Sequence, residues 1–307
     1  MRVYKISMLL IAFLMFSFSS EAVEKERIVK KSYKVNSKTE LKIKNVFGKV
    51  EVESYHGNEI SIVVRIWAKG SSEEKVSGFV NSIDIDFNES KDKIEAATSS
   101  ISNNGIVNKF VVDYTVRIPE NNLLQISNIF GNVIIGSHKG VVKLQVKHGN
   151  IKAENIINNK NKIELQFGNA SINKYGAGQM VLQHSNLDIN SVVDLNIKGQ
   201  FSDIKIKKVA RNVDAKISHG GLKLKSIDKG FESMKIKAEF SDIDLIMNEK
   251  ASYDLEYKGS FTSFSRPDNL EISNRDKDYT SEEIIGKVNG GGSSVNLKLS
   301  HSTLSMN

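Results

Sequence analysis

The chain contains no cysteine among its 307 residues. That absence excludes a small scaffold stapled by disulfides and a lipid-modified cysteine as an anchor, so packing alone must hold the fold. Long apolar runs are equally scarce. The longest, Met8–Phe18, is interrupted only by Ser17 and falls short of the roughly 20 residues a membrane-crossing helix needs. Arg2 and Lys5 precede it and Ser20-Glu21-Ala22 follow. This is the order of a secretory leader and predicts cleavage after Ala22, with export of the remainder to the periplasm or outer cell surface.

Chemical motifs are missing as well. There is no nucleophile elbow, phosphate-cradling glycine loop, nonapeptide calcium repeat or nucleic-acid motif. Clustered carboxylates of the kind used by polysaccharide-cleaving solenoids do not stand out. Lys and Arg number 43 against 36 Asp and Glu, a net charge of +7. The modest excess suits anionic partners such as acidic glycans, but is better explained by a solvated lysine surface that discourages strand edges from pairing with other molecules.

What is present is a repeat. Leu41-x-Ile43-x-Asn45-x-Phe47-Gly48-Lys49-Val50-x-Val52 is nearly copied by Leu124-x-Ile126-x-Asn128-x-Phe130-Gly131-Asn132-Val133-x-Ile135. The same unit recurs around His148, Phe167, His184, Phe201, His219 and Phe240, with weaker copies at Phe261 and His301. From Phe130 to Phe261 these pivots are spaced by 18, 19, 17, 17, 18, 21 and 21 residues. Within each unit apolar and polar residues alternate, so each strand has one buried and one wet face. The pivot keeps the parity of the buried residues, which places its ring inward. After it the parity slips by one, at Gly, Ser, Asn or Asp, residues that tolerate a bend or left-handed backbone. Two short strands around a corner cannot bury a face alone and must stack on their neighbours. The expected fold is therefore all-β, a parallel β-solenoid of about 18-residue repeats. The pivots alternate between Phe and His until Phe261: one unit per coil, the arrangement expected here, interleaves them in a single stack, whereas two units per coil would put them in separate stacks on opposite sides.

The spacing divides the chain into a leader (1–22), a first repeat-like segment (23–56), a β-rich cap with one short helix (57–122), the repeats (123–264), a loop excursion (265–292) and closing strands (293–307). The helix is expected over 71–82, with Ser72 as N-cap, Glu73 and Glu74 in the first turn, and Val76, Phe79, Val80 and Ile83 on one side. Pro267 and Gly290-Gly291-Gly292 mark the excursion.

Leu41–Val52, the strand Val111–Pro119, the recurring strand-Gly-Asn-strand units and the closing glycine-rich turn resemble the bacterial family known as putative adhesins, exported β-strand-repeat domains of unknown function. The resemblance covers essentially everything after the leader. It implies a β-solenoid without established catalysis and supplies no site residues to carry over.

His148, His184, His219 and His301 share the pivot position and invite a metal, yet Phe fills the same slot elsewhere, which favours packing. His56 and His138 lie in turns and follow no pattern. Asn132, Asn150, Asn169 and Asn186, continued by Asp203 and Asp242, predict a corner ladder of side-chain hydrogen bonds. Calcium at Asp203 and Asp242 is the alternative. Outward positions are rich in lysine, including Lys143, Lys147, Lys152, Lys205, Lys207, Lys223, Lys225, Lys235 and Lys237. We expect no catalytic, cofactor or metal site. The expected function is that of a non-enzymatic, adhesin-like envelope protein holding a partner protein, glycan or other polyanion on its polar face, with no nucleic acid and no small-molecule substrate. The alternatives are a polysaccharide-processing enzyme and an envelope-stress sensor or scaffold.

Overall fold

The computed structural model describes residues 22–99 and 101–307; the expected leader lies, apart from Ala22, outside the described residues. The protein is all-β, with 25 strands hydrogen-bonded in one mixed sheet and one helix, Glu73–Ser82, among the described residues. Ser72 caps the helix by accepting from the Lys75 amide, and Val76, Phe79 and Val80 are buried.

Each repeat supplies a leading strand before its pivot and a trailing strand after it. The leading strand Val142–Lys147 pairs in parallel with Leu123–Ile129 on one side and Asn161–Gln166 on the other. The trailing strand Ile151–Ile156 lies in parallel between Val133–Ile135 and Asn169–Tyr175. Because the offset equals the repeat, like positions stack on like. Ile43, Ile126, Leu144, Ile163, Met180, Ile197, Ala215, Ile236, Leu297 and Tyr257 form one inward row of the leading strands, and all are buried. Asn186–Gln200 and Asp203–Ser218 are long enough to run from the trailing segment of one repeat into the leading segment of the next, with a shift in register between Val192 and Asp194.

The sheet is mixed, not parallel throughout. Antiparallel pairs sit at both ends: Val23–Lys34 on Glu59–Gly70, Glu59–Gly70 on Lys109–Pro119, and Ile85–Ser90 on Lys93–Thr98. At the far end Ser281–Val288 pairs antiparallel with both Tyr253–Ser260 and Leu270–Lys277. A hairpin needs only a tight turn to return, whereas a parallel partner needs a whole crossover. Tight turns join only Ile85–Ser90 to Lys93–Thr98 and Leu270–Lys277 to Ser281–Val288; the other antiparallel pairs bring together strands more distant in sequence, and all of them lie at the ends of the stack.

Two expectations for the C-terminal part need correction. The segment 265–292 is not a loop excursion but carries the hairpin Leu270–Lys277/Ser281–Val288, whose turn is held by Asp278 accepting from the amides of Thr280 and Ser281. Its first strand is exposed along almost its whole length, so no alternation betrayed it. The final strands do not close the stack either. Ser293–Ser300 inserts between Ser233–Glu239 and Tyr253–Ser260, and Thr303–Met306 between Asp242–Met247 and Ser263–Ser265. The N-terminal end mirrors this, with Glu40–Val46 between Lys93–Thr98 and Leu123–Ile129. At each end the outermost leading strand is thus one that a neighbouring antiparallel strand can cover.

Candidate binding surface

The corners decide what the outer surface looks like. All ten pivots, Phe47, Phe130, His148, Phe167, His184, Phe201, His219, Phe240, Phe261 and His301, have φ between 48° and 62°. The left-handed residue at each corner is therefore the aromatic pivot, not the Gly, Ser, Asn or Asp after it. This overturns the inward placement of the rings. A residue in the left-handed region rotates its side chain off the strand's alternation, so the pivots point outward. Phe130, Phe167, Phe201, Phe240 and Phe261 are about half-exposed, at 46–58%.

The next residue takes the inward place. It is Ser in four corners, with Ser185, Ser202, Ser241 and Ser302 buried and each hydroxyl donating to the carbonyl two residues back at 2.7–2.8 Å. It is Gly in others, for close approach: a Cβ on Gly149 would stand 1.9 Å from the Gly131 carbonyl oxygen.

The outward rings form one stack in the order Phe47, Phe130, His148, Phe167, His184, Phe201, His219, Phe240, His301, Phe261. Neighbouring centroids lie 4.8–5.1 Å apart and the planes within 3–23°. Because His301 slots between Phe240 and Phe261, the alternation that lapses along the chain continues in space. Phe47 ends the stack against the edge of Phe110, which in turn meets Phe79 of the helix. A left-handed non-glycine residue costs about 1–2 kcal/mol, and a stacked aromatic pair contributes about 0.5–1.5 kcal/mol beyond its area. The two are comparable, so ring stacking offsets much of the cost of the corners.

The geometry separates the candidate ligands. In the stack each pivot histidine has phenylalanine neighbours, so no two histidines are adjacent, and no cluster of three or more His, Asp or Glu poised for a metal occurs among the described residues. Asp203 and Asp242 are separated by Gly221 in the ladder, and Asp242 accepts from the Thr303 hydroxyl at 2.6 Å. The asparagine ladder is present. Asn132 Oδ1 accepts from the Asn150 amide, Asn150 Oδ1 from the Asn169 amide, and Asn169 Oδ1 from Asn186 Nδ2, at 2.9–3.0 Å. A second ladder runs along Asn155–Asn173–Asn190, and its spacing repeats like the first.

His138 lies on an isolated parallel bridge to Ile156, not in a turn. It is buried, its Nε2 donating to the Asn122 carbonyl at 2.8 Å and its Nδ1 accepting from the Ser54 hydroxyl at 2.7 Å. Burial holds its pKa below the ordinary histidine value, partly opposed by the Asn122 carbonyl and the Glu120 charge.

The lysines sort into rows. Most of those named from sequence are scattered among mixed rows; Lys223, for example, faces and pairs with Asp244. One row is different. Lys198, Lys216, Lys237, Lys298 and Lys258 occupy successive rungs in direct register, all exposed. Like charges directly opposite on neighbouring strands are destabilising. Only Lys258 is paired among the described residues, with Glu256 and Glu283 at 3.7 and 3.2 Å. Each lysine stands three residues before its pivot, a signal legible in the sequence; what was not legible is that Lys298 lies between Lys237 and Lys258. The row lines an open groove of about 900 Å³ running from Val181 and Gln183 to Ser281 and Glu283. Between lysines and rings lies a row of Gln200, Ser218, Glu239, Ser300 and Ser260.

No family profile and no curated protein matches the chain. Solved structures do. The chain is similar to a "putative cell adhesion protein" of Clostridium sporogenes, at 9% identity over 92% of this chain and 99% of that one, with a TM-score of 0.22. It is similar to a "putative adhesin" of Bacteroides fragilis at 13% identity, over 92% and 97%, with a TM-score of 0.36. A "putative lipid binding protein" of Parabacteroides distasonis is similar at 8% identity, over 91% and 96%, with a TM-score of 0.34. The adhesin name met in the repeats thus recurs among these structures. No helix among the described residues is long and apolar enough to cross a membrane.

Proposed function

We propose that the chain is a non-enzymatic, exported, adhesin-like protein, wound as a parallel β-solenoid of about 18-residue coils, that holds an envelope protein, glycan or other polyanion on its polar outer face. The layout follows: a leader over 1–22, a first coil ahead of a cap over 57–122, and repeats extending from 123 onward. The observation that carries this reading is the register itself. Direct stacking of successive repeats turns single exposed residues into long straight rows on a surface stiffened by ladder hydrogen bonds. Such a surface suits an extended partner better than a compact one. The lysine excess on it supports an anionic partner.

Retention of purified 23–307 protein by envelope fractions and by a glycan array at low salt is the expected result. Indifference to every fraction and glycan at low salt would overturn the reading.

A further inference from the structure

We propose that the row Lys198–Lys216–Lys237–Lys298–Lys258 and its groove bind a linear acidic polysaccharide carrying one carboxylate on each sugar ring. This rests on the binding reading above and gives it a site and a ligand class. The five lysines stand in register, on strands about one spacing, ~4.8 Å, apart per rung. They are kept although the same stack places opposite charges face to face elsewhere, as at Lys223 and Asp244. An anionic chain laid along the stack would relieve their mutual repulsion, and a carboxylate repeat near the strand spacing would do so rung by rung.

Three features choose among polyanions. Lysine is a point charge without the planar fork of arginine, so the row reads spacing and not the shape of one anionic group. Alongside it, Gln200, Ser218, Ser300 and Ser260 offer hydrogen-bonding groups suited to sugar hydroxyls, and Glu239 offers an acceptor. Single-stranded nucleic acid would need open ring faces on which to stack its bases, and the faces of the neighbouring rings are covered by one another. Glu256 and Glu283, both paired with Lys258, mark the end of the track.

The test uses the 23–307 chain and three probes: polygalacturonate, its fully methyl-esterified form and inorganic polyphosphate. Polygalacturonate is expected to bind in a salt-dependent manner, with the ester not binding and polyphosphate binding more weakly. The triple variant Lys216→Gln/Lys237→Gln/Lys298→Gln should weaken polygalacturonate binding by roughly tenfold or more. It should melt no lower than the parent, because it removes like-charge repulsion. A control on the trailing strands, Lys152→Gln/Lys205→Gln/Lys223→Gln, removes equal charge and should leave binding within about twofold. Equal losses in the two variants, or tighter binding of polyphosphate, would overturn the proposal. If the row variant keeps full retention on envelope fractions while polygalacturonate binds neither protein, the row falls and the adhesin reading stands. If the parent chain is retained by neither, both fall.

Discussion

A phenylalanine at φ +56°, about half-exposed and stacked on a histidine at each face, is the unit from which the outer corner is made. Phe167 shows how its two energies can be separated. Phe167→Ala keeps the left-handed cost and loses both stacks, while Phe167→Gly loses the stacks but removes the cost. Chemical denaturation should find the alanine variant less stable than the parent by about 1–3 kcal/mol. The glycine variant should be more stable than the alanine one by about 1 kcal/mol. Equal losses would mean that the corner carries no left-handed cost. His138 makes a prediction of opposite kind. Burial lowers its folded-state pKa, so its neutral form is favoured on folding. Its contribution is complete above the unfolded value of about 6.5 and is lost as pH falls from there toward the lower folded value. Thermal melts should show the parent losing stability across that window. His138→Asn should lose less over the same window, so the gap between the two proteins narrows as pH falls.

Strands and corners stack because each rung leaves space for the one above. At the glycine corners that space is already taken by a carbonyl oxygen, so Gly149→Ala, with its Cβ directed at the Gly131 oxygen, should destabilise by about 1–3 kcal/mol as an overpacked contact does. Ser185→Ala at the corresponding place two rungs away loses a hydroxyl bond to the Gln183 carbonyl and should cost about 1 kcal/mol. Paired urea titrations of the two variants check the order. The strand pattern around these corners was legible because burial alternates residue by residue along each strand. The ring direction was not, since the pivot shares the parity of the buried residues and only its backbone φ turns it outward. The strand Leu270–Lys277 was not legible either, because a strand wet on both faces has no alternation to read, and without it the alternating Ser281–Val288 had no hairpin partner.

At the scale of the whole molecule the ends govern whether the stack remains single. Ser281–Val288 covers the free edge of Tyr253–Ser260 and buries Ile284 and Val288. Ile284→Pro removes a ladder donor from a strand paired on both sides and should release that edge. Sedimentation velocity is expected to show concentration-dependent association of a variant whose circular dichroism remains β-rich, as an uncovered edge recruits strands of other copies. A variant that stays monomeric at every concentration would show that the hairpin is not what keeps the edge from pairing. The lysine row belongs to this scale too: it exists only because five separate repeats lie in register.

The amino-acid sequence by itself determined the repeat, the buried face of its strands and the asparagine ladder, because these follow from alternation and recurrence along the chain. Tertiary structure alone decided three things: that Ser293–Met306 wedges between two earlier repeats, that the pivot rings face solvent as one continuous stack, and that Lys298 joins Lys237 to Lys258. The physical reason is common to all three. Each depends on a pairing partner distant in sequence or on a backbone angle, and neither leaves a mark on the alternation of polar and apolar residues.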